Sequence, residues 1–214
     1  MGGGICVCQV IFVASLVISL CSDICLCNFN ETPTQVSTAA PELRKPKLLV
    51  FSLDMVIWPF RVETDVVTPV KRHKKTARIT DFLKKPLGVY ADAVDALNSL
   101  YLKKYRLAAI SDSPDVETNT KLLLFFNLYN YFPIQEIFGG PKKDHIELIH
   151  RITQVPYNEI FYFDRSNSEL DAIRKLGVFV IELKDGLEIG EFKKALDRYN
   201  EIPTSSNITT NVVP

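Results

Sequence analysis

Four consecutive apolar residues, Leu48 to Phe51, lead into Ser52, Leu53 and Asp54, and then into Met55-Val56-Ile57-Trp58. This is the pattern of a buried strand running into a polar turn. Ser52 and Asp54 are two residues apart in that strand and so face the same way. From Pro59 to Pro86 helical periodicity is absent. Val62, Val66, Val67 and Val70 sit in short extended pieces around the basic run Lys71-Arg72-His73-Lys74-Lys75, which predicts an inserted β-flap with a basic tip.

Beyond the flap the rhythm alternates. Val89 to Lys104 carries apolar residues at helical spacing, and Arg106 to Ile110 reads as a strand ending at Ser111. A helix opens with Ser113 as its N-cap and Pro114 in its first turn, and runs through Phe126. Strand 134–138, helix 143–153, strand 159–163 ending at Asp164, helix 168–176, strand 178–183 and helix 189–199 follow. Regular alternation of strand and helix predicts an α/β fold, a doubly wound parallel sheet with helices on both faces. His145 and His150 are assigned to the exposed side of their helix, and Trp58 and Phe60 to packing under the flap.

The composition narrows the class without naming a partner. With 214 residues, 47% hydrophobic and 23% charged, the chain suits one globular domain of about 150 residues plus tails. A formal charge of zero gives no global attraction to nucleic acid, so no nucleic-acid partner is expected. All five cysteines, Cys6 to Cys27, precede the globular part, which needs neither a disulfide framework nor a zinc site. The apolar run from Ile5 to Leu20 has three readings. It is a signal peptide without an n-region, or a membrane anchor if extended to Cys27; it is a lipidated tail; or it is an extension with no targeting role. The first places the chain in the secretory pathway or at a membrane, the last in the cytoplasm. The organisation is therefore an apolar segment 1–27, a Pro- and Thr-containing linker 28–46, a domain 47–200 with its flap at about 59–86, and a polar tail 201–214 expected to be disordered. Sequons at Asn30 and Asn207 would matter only in the secretory route.

Polar residues gather where a doubly wound sheet binds ligands: Ser52 and Asp54, Ser111, Lys142 and Asp164 all stand at strand ends or just before helices. Hydroxyl, ammonium and carboxylate groups converging in this way suit a phosphoryl group and a magnesium ion.

Five segments in this order carry a resemblance: Lys47-Leu48-Leu49-Val50-Phe51-Ser52-Leu53-Asp54 followed by Trp58-Pro59-Phe60; Ala108-Ala109-Ile110-Ser111; Gly139-Gly140-Pro141-Lys142; Ile160-Phe161-Tyr162-Phe163-Asp164; and Lys175-Leu176-Gly177-Val178. Over about residues 46–199 the chain resembles the haloacid dehalogenase superfamily of Rossmannoid phosphatases, and within it the magnesium-dependent phosphatase-1 family. The resemblance implies an aspartate nucleophile at position 52 and Asp54 as general acid/base, with its backbone carbonyl on magnesium. It further implies Ser111 and Lys142 on the phosphoryl group and Asp164 as metal ligand. Phosphotyrosine proteins or small sugar phosphates are the implied substrates.

Ser52 replaces the nucleophile, and a serine hydroxyl attacks only when a base removes its proton. Val56 replaces a threonine, Asp112 stands where arginine is expected, and Arg165 stands where a second acid is expected. These changes predict a catalytically impaired domain with weakened or lost magnesium binding, which keeps phosphate or protein binding through Ser111, Lys142 and Arg165. A working phosphatase and a membrane-tethered interaction module are the alternatives. Asp112 and Arg165 have two readings: an ion pair across the mouth of the site, or both side chains turned to solvent.

Overall fold

A computed structural model describes residues 43–165 and 169–202. The apolar segment 1–27, most of the linker, both sequons, the tail from residue 203 and the expected helix start at Ser168 lie outside the described residues. Among those described, no helix is long and apolar enough to cross a membrane.

The central strand is β1, Leu48–Ser52, buried at all five positions. After it come a one-turn helix α1, Val62–Asp65, and three two-residue strands: β2 (Lys71–Arg72), β3 (Ile79–Thr80) and β4 (Pro86–Leu87). These strands form an antiparallel meander, the flap. Helix α1 was not expected, because its one buried residue, Val62, gives a periodicity count nothing to repeat.

Then follow α2 (Ala91–Leu102), β5 (Leu107–Ser111), α3 (Val116–Phe125), β6 (Ile134–Ile137), α4 (Lys142–Thr153), β7 (Ile160–Arg165), α5 (Leu170–Arg174), β8 (Phe179–Leu183) and α6 (Ile189–Glu201). The five long strands form one parallel sheet in the order β6-β5-β1-β7-β8. This is the doubly wound sheet that the alternation predicts.

Side chains alternate across β1 and build a core on each face of the sheet. Leu49, Phe51 and Leu53 pack with residues of α2, α3 and α6. Leu48 and Val50 pack with Ile146 and Ile149 of α4 and with Leu170 and Ile173 of α5. The stacked pair Phe51 and Phe163, 4.7 Å between ring centres, fixes β1 against β7 on the first face.

Two sequence expectations need correction here. The N-cap of α3 is Asp115, whose carboxylate accepts from Thr118 N–H at 2.9 Å; Ser113 instead accepts from Asp115 N–H at 3.2 Å. Asp115 lies three residues before an otherwise unpaired helix N–H, the geometry a cap requires. His145 is fully buried, not exposed. Its surroundings belong to the site.

Candidate functional site

β1, β5 and β7 run parallel, so their C-terminal ends open on one edge of the sheet, where such folds leave a crevice. In register, Ser52 faces Ile110 of β5, and its neighbour Phe51 faces Phe163 of β7, the residue before Asp164. A cavity of about 370 Å³ lies at this edge. It is lined by Asp54, Met55, Asp112 and Ser113, by Lys142, Asp164 and Arg165, by Glu169, and by Arg61 and Glu63 from the flap.

Four of the residues expected from sequence therefore meet there: Asp54, Lys142, Asp164 and Arg165. Ser52 and Ser111 do not line the cavity; both are fully buried. The Ser52 hydroxyl has no hydrogen-bond partner. The Ser111 hydroxyl accepts from Ser113 N–H at 3.2 Å.

Asp54 is held by the turn that follows β1. Met55 adopts φ of 62°, an uncommon left-handed conformation for a residue with a side chain, and its N–H donates to Trp58 O at 2.8 Å. The chain thus curls back over Asp54. Trp58 Nε1–H donates to Asp54 Oδ1 at 2.8 Å, and Val62 N–H, opening α1, donates to Oδ2 at 3.2 Å. Burial raises the Asp54 carboxyl to about 6 despite those two hydrogen bonds; Asp112 adds to the rise and Lys142 opposes it. Trp58, stacked on Phe60 at 5.7 Å, is buried as expected, but its indole N–H also serves the site.

Asp164 is engaged on both oxygens. Oδ2 accepts from Lys142 Nζ at 3.0 Å and from Tyr162 O–H at 2.7 Å, while Oδ1 accepts from Arg165 N–H at 2.8 Å. Burial and the neighbouring Asp164 charge hold the Tyr162 phenol well above its usual range, so it stays a donor. Lys142 opens α4, reached through Gly139-Gly140-Pro141. Gly140 at φ of 142° makes the bend that a side chain would resist. The ion partner of Asp112 in the cavity is the same lysine, at 3.9 Å.

His145 lies beneath this edge. Its Nε2 is 3.1 Å from Ser111 O and 3.0 Å from Phe138 O, and its Nδ1 is 3.1 Å from Pro141 O. The ring stacks on Phe138 at 3.7 Å. One side chain thereby ties the ends of β5 and β6 to the start of α4.

Sequence reasoning missed Tyr162, Arg61, Glu63 and Glu169. Tyr162 had a readable signal, since it lies two residues before Asp164 on the same strand face. The flap residues had none, because the Val62–Asp54 hydrogen bond that brings them in spans a fold-back.

The lining carries five acids against three cations, so a free anion entering alone meets net negative charge. Lys142 pairs with Asp164, which leaves Asp54, Glu63, Asp112 and Glu169 facing Arg61 and Arg165. Among the described residues no group of three His, Cys, Asp or Glu side chains is placed to hold a metal ion.

A family model described as Acid Phosphatase matches residues 44–202. The chain is 30% identical over 162 residues to human magnesium-dependent phosphatase 1, covering 75% of this chain and 91% of that protein. It is 26% identical over 161 residues to a HAD-like hydrolase superfamily protein of Schizosaccharomyces pombe, covering 70% and 93%. Among solved structures, a HAD-superfamily hydrolase from Ehrlichia chaffeensis superposes with a TM-score of 0.51 at 11% identity, over 74% of this chain and 98% of that one. A phosphatase-domain fragment of a Bacteroides fragilis protein, complexed with Mg, gives 0.51 at 18% identity, over 75% and 41%.

Proposed function

The chain belongs to the acid phosphatase family, as a magnesium-dependent phosphatase-1-like member of the haloacid dehalogenase superfamily, and on that premise we propose that its cavity binds a phosphorylated ligand without phosphoaspartate chemistry. The observation that carries this is Ser52, a fully buried hydroxyl with no hydrogen-bond partner at the nucleophile position. No base touches it, and an unactivated hydroxyl does not attack phosphorus.

Magnesium fits the site only as a weakly held ion. Asp164 and the Asp54 carbonyl are the residues that would hold it, with water and the ligand's own phosphate completing the shell. When bound it supplies positive charge against the phosphoryl oxygens. The excess of acids in the lining supports a ligand that enters with its cation, so phosphate binding depends on magnesium. Lys142, Arg165 and Arg61 then supply the donors on this chain. A phosphorylated small molecule or a phosphoprotein side chain meets these requirements.

Turnover of p-nitrophenyl phosphate with magnesium separates this reading from an active enzyme. Loss of a covalent nucleophile from a cooperative site costs on the order of a millionfold. The natural chain is expected to show no turnover above background and Ser52→Asp to gain some, with phosphate binding by calorimetry detectable in both only when magnesium is present. Natural turnover that Asp54→Asn abolishes would overturn the proposal. One observation favours that second reading: a carboxyl near 6 is well poised for general acid/base work.

A further inference from the structure

We propose that the flap is a membrane-docking element that seats the turn between β3 and β4 in the interface of an anionic bilayer. This holds whether or not the cavity turns its ligand over.

Phe82 and Leu83, adjacent in that turn, are 56% and 68% exposed. Phe82 N–H donates to Val67 O at 2.8 Å, which brings a third exposed apolar side chain, Val67, alongside. Large apolar residues paired at a hairpin tip gain nothing from the fold that carries them, because burial elsewhere is what stabilises them.

The turn is built to hold them outward. Asp81 is buried, its Oδ1 accepts from Lys85 N–H at 2.8 Å and its Oδ2 faces Val67 N–H at 3.4 Å. Lys84 takes φ of 68° to close the loop. The one acid between residues 66 and 90 is thus consumed by backbone N–H groups, whereas seven cations stand in the same stretch. Lys84 and Lys85 follow the apolar pair directly, and register sets Lys71 across from Thr80 at the foot of the turn. Since the whole chain has a formal charge of zero, this is segregation of charge, not general basicity.

Three of those cations, Lys71, Lys84 and Lys85, stand at this end of the meander and all three are lysine; the other four lie toward the turn between β2 and β3. Protein interfaces are depleted in lysine and favour arginine, whereas an anionic lipid surface attracts either cation and lets lysine stems lie along the apolar boundary. Exposed Phe and Leu beside lysines are the composition of an interfacial anchor. The turn also connects to the cavity: Lys85 Nζ donates to Asp65 O at 3.0 Å, at the end of α1, and α1 carries Glu63 and follows Arg61 on the cavity's lining. A docked flap would hold the cavity next to the headgroups.

The test uses the full chain with vesicles of phosphatidylcholine alone or with about one-third phosphatidylserine. Leu83→Trp places a reporter at the tip, read against the single buried Trp58. Serine-lipid vesicles are expected to shift its emission to the blue and to expose it to quenching by brominated acyl chains, both reversed by salt. Lys84→Glu with Lys85→Glu, both at exposed positions, should weaken partitioning roughly twentyfold or more. Sedimentation with vesicles without any change in the reporter's emission overturns the proposal, because the chain is then held elsewhere. So does a charge-reversed variant that partitions normally but loses binding to an acidic phosphotyrosyl peptide, since the flap would then be a protein-docking surface.

Discussion

At Asp54 two N–H donors and the nearby Lys142 charge compensate an ionised carboxylate taken out of water, and burial outweighs them. Its pKa rises from 3.8 to about 6. Since the folded value lies above the unfolded one, the native state binds the extra proton between the two. The stability it contributes is complete below about 3.8 and is lost as pH rises through about 6. An interval of this size corresponds to about 3 kcal/mol. Asp54→Asn cannot ionise, so urea unfolding should show the variant gaining on the natural chain by roughly 2–3 kcal/mol between about pH 4 and about pH 8. A fixed cost from changing the acceptor of Val62 N–H cancels in that comparison. A difference that does not move with pH would show that Asp54 is better solvated than its burial implies.

At the level of elements, α4 explains best why part of the site was legible and part was not. Its buried residues Lys142, His145, Ile146 and Ile149 form a regular helical face, but two of the four are polar. A reading that counts apolar positions therefore turns His145 to solvent. The long strands escaped this error because β1, β5 and β7 are almost unbroken apolar runs, and an unbroken run ends where a polar residue can be seen. Asp54 and Asp164 were legible for that reason, and Lys142 from the Gly139-Gly140-Pro141 turn that precedes its helix. Arg61 and Glu63 were not, since only a tertiary fold-back delivers them. His145→Ala removes the partner of three carbonyls and leaves a void beside Phe138, and is expected to cost about 3 kcal/mol in urea unfolding. Phosphate binding should weaken with it, because Ser111 and Lys142 lose their common tie. A loss below roughly 1 kcal/mol would mean that water replaces the ring without cost to the fold.

Across the whole domain, the two ends of the described fold are fastened together. Arg44 N–H donates to Asn200 Oδ1 at 2.7 Å, its guanidinium bonds the carbonyls of Tyr199 and Ile202, and it lies 4.4 Å from the centre of the Tyr199 ring. Arg44→Ala should lower stability by about 1–2 kcal/mol and speed amide exchange in the last turns of α6 while leaving β1 protected. Uniform acceleration through the sheet would contradict that local role. The placement of β1 at the centre of the sheet has a consequence during synthesis. Its first neighbour, β5, is made roughly 55 residues later and its second, β7, roughly 110 later, which at ribosomal speed amounts to about 5–20 s. For that time the most apolar strand of the domain leaves the ribosome with at least one edge unpaired, so the nascent chain depends on chaperones most in the interval before β7 emerges.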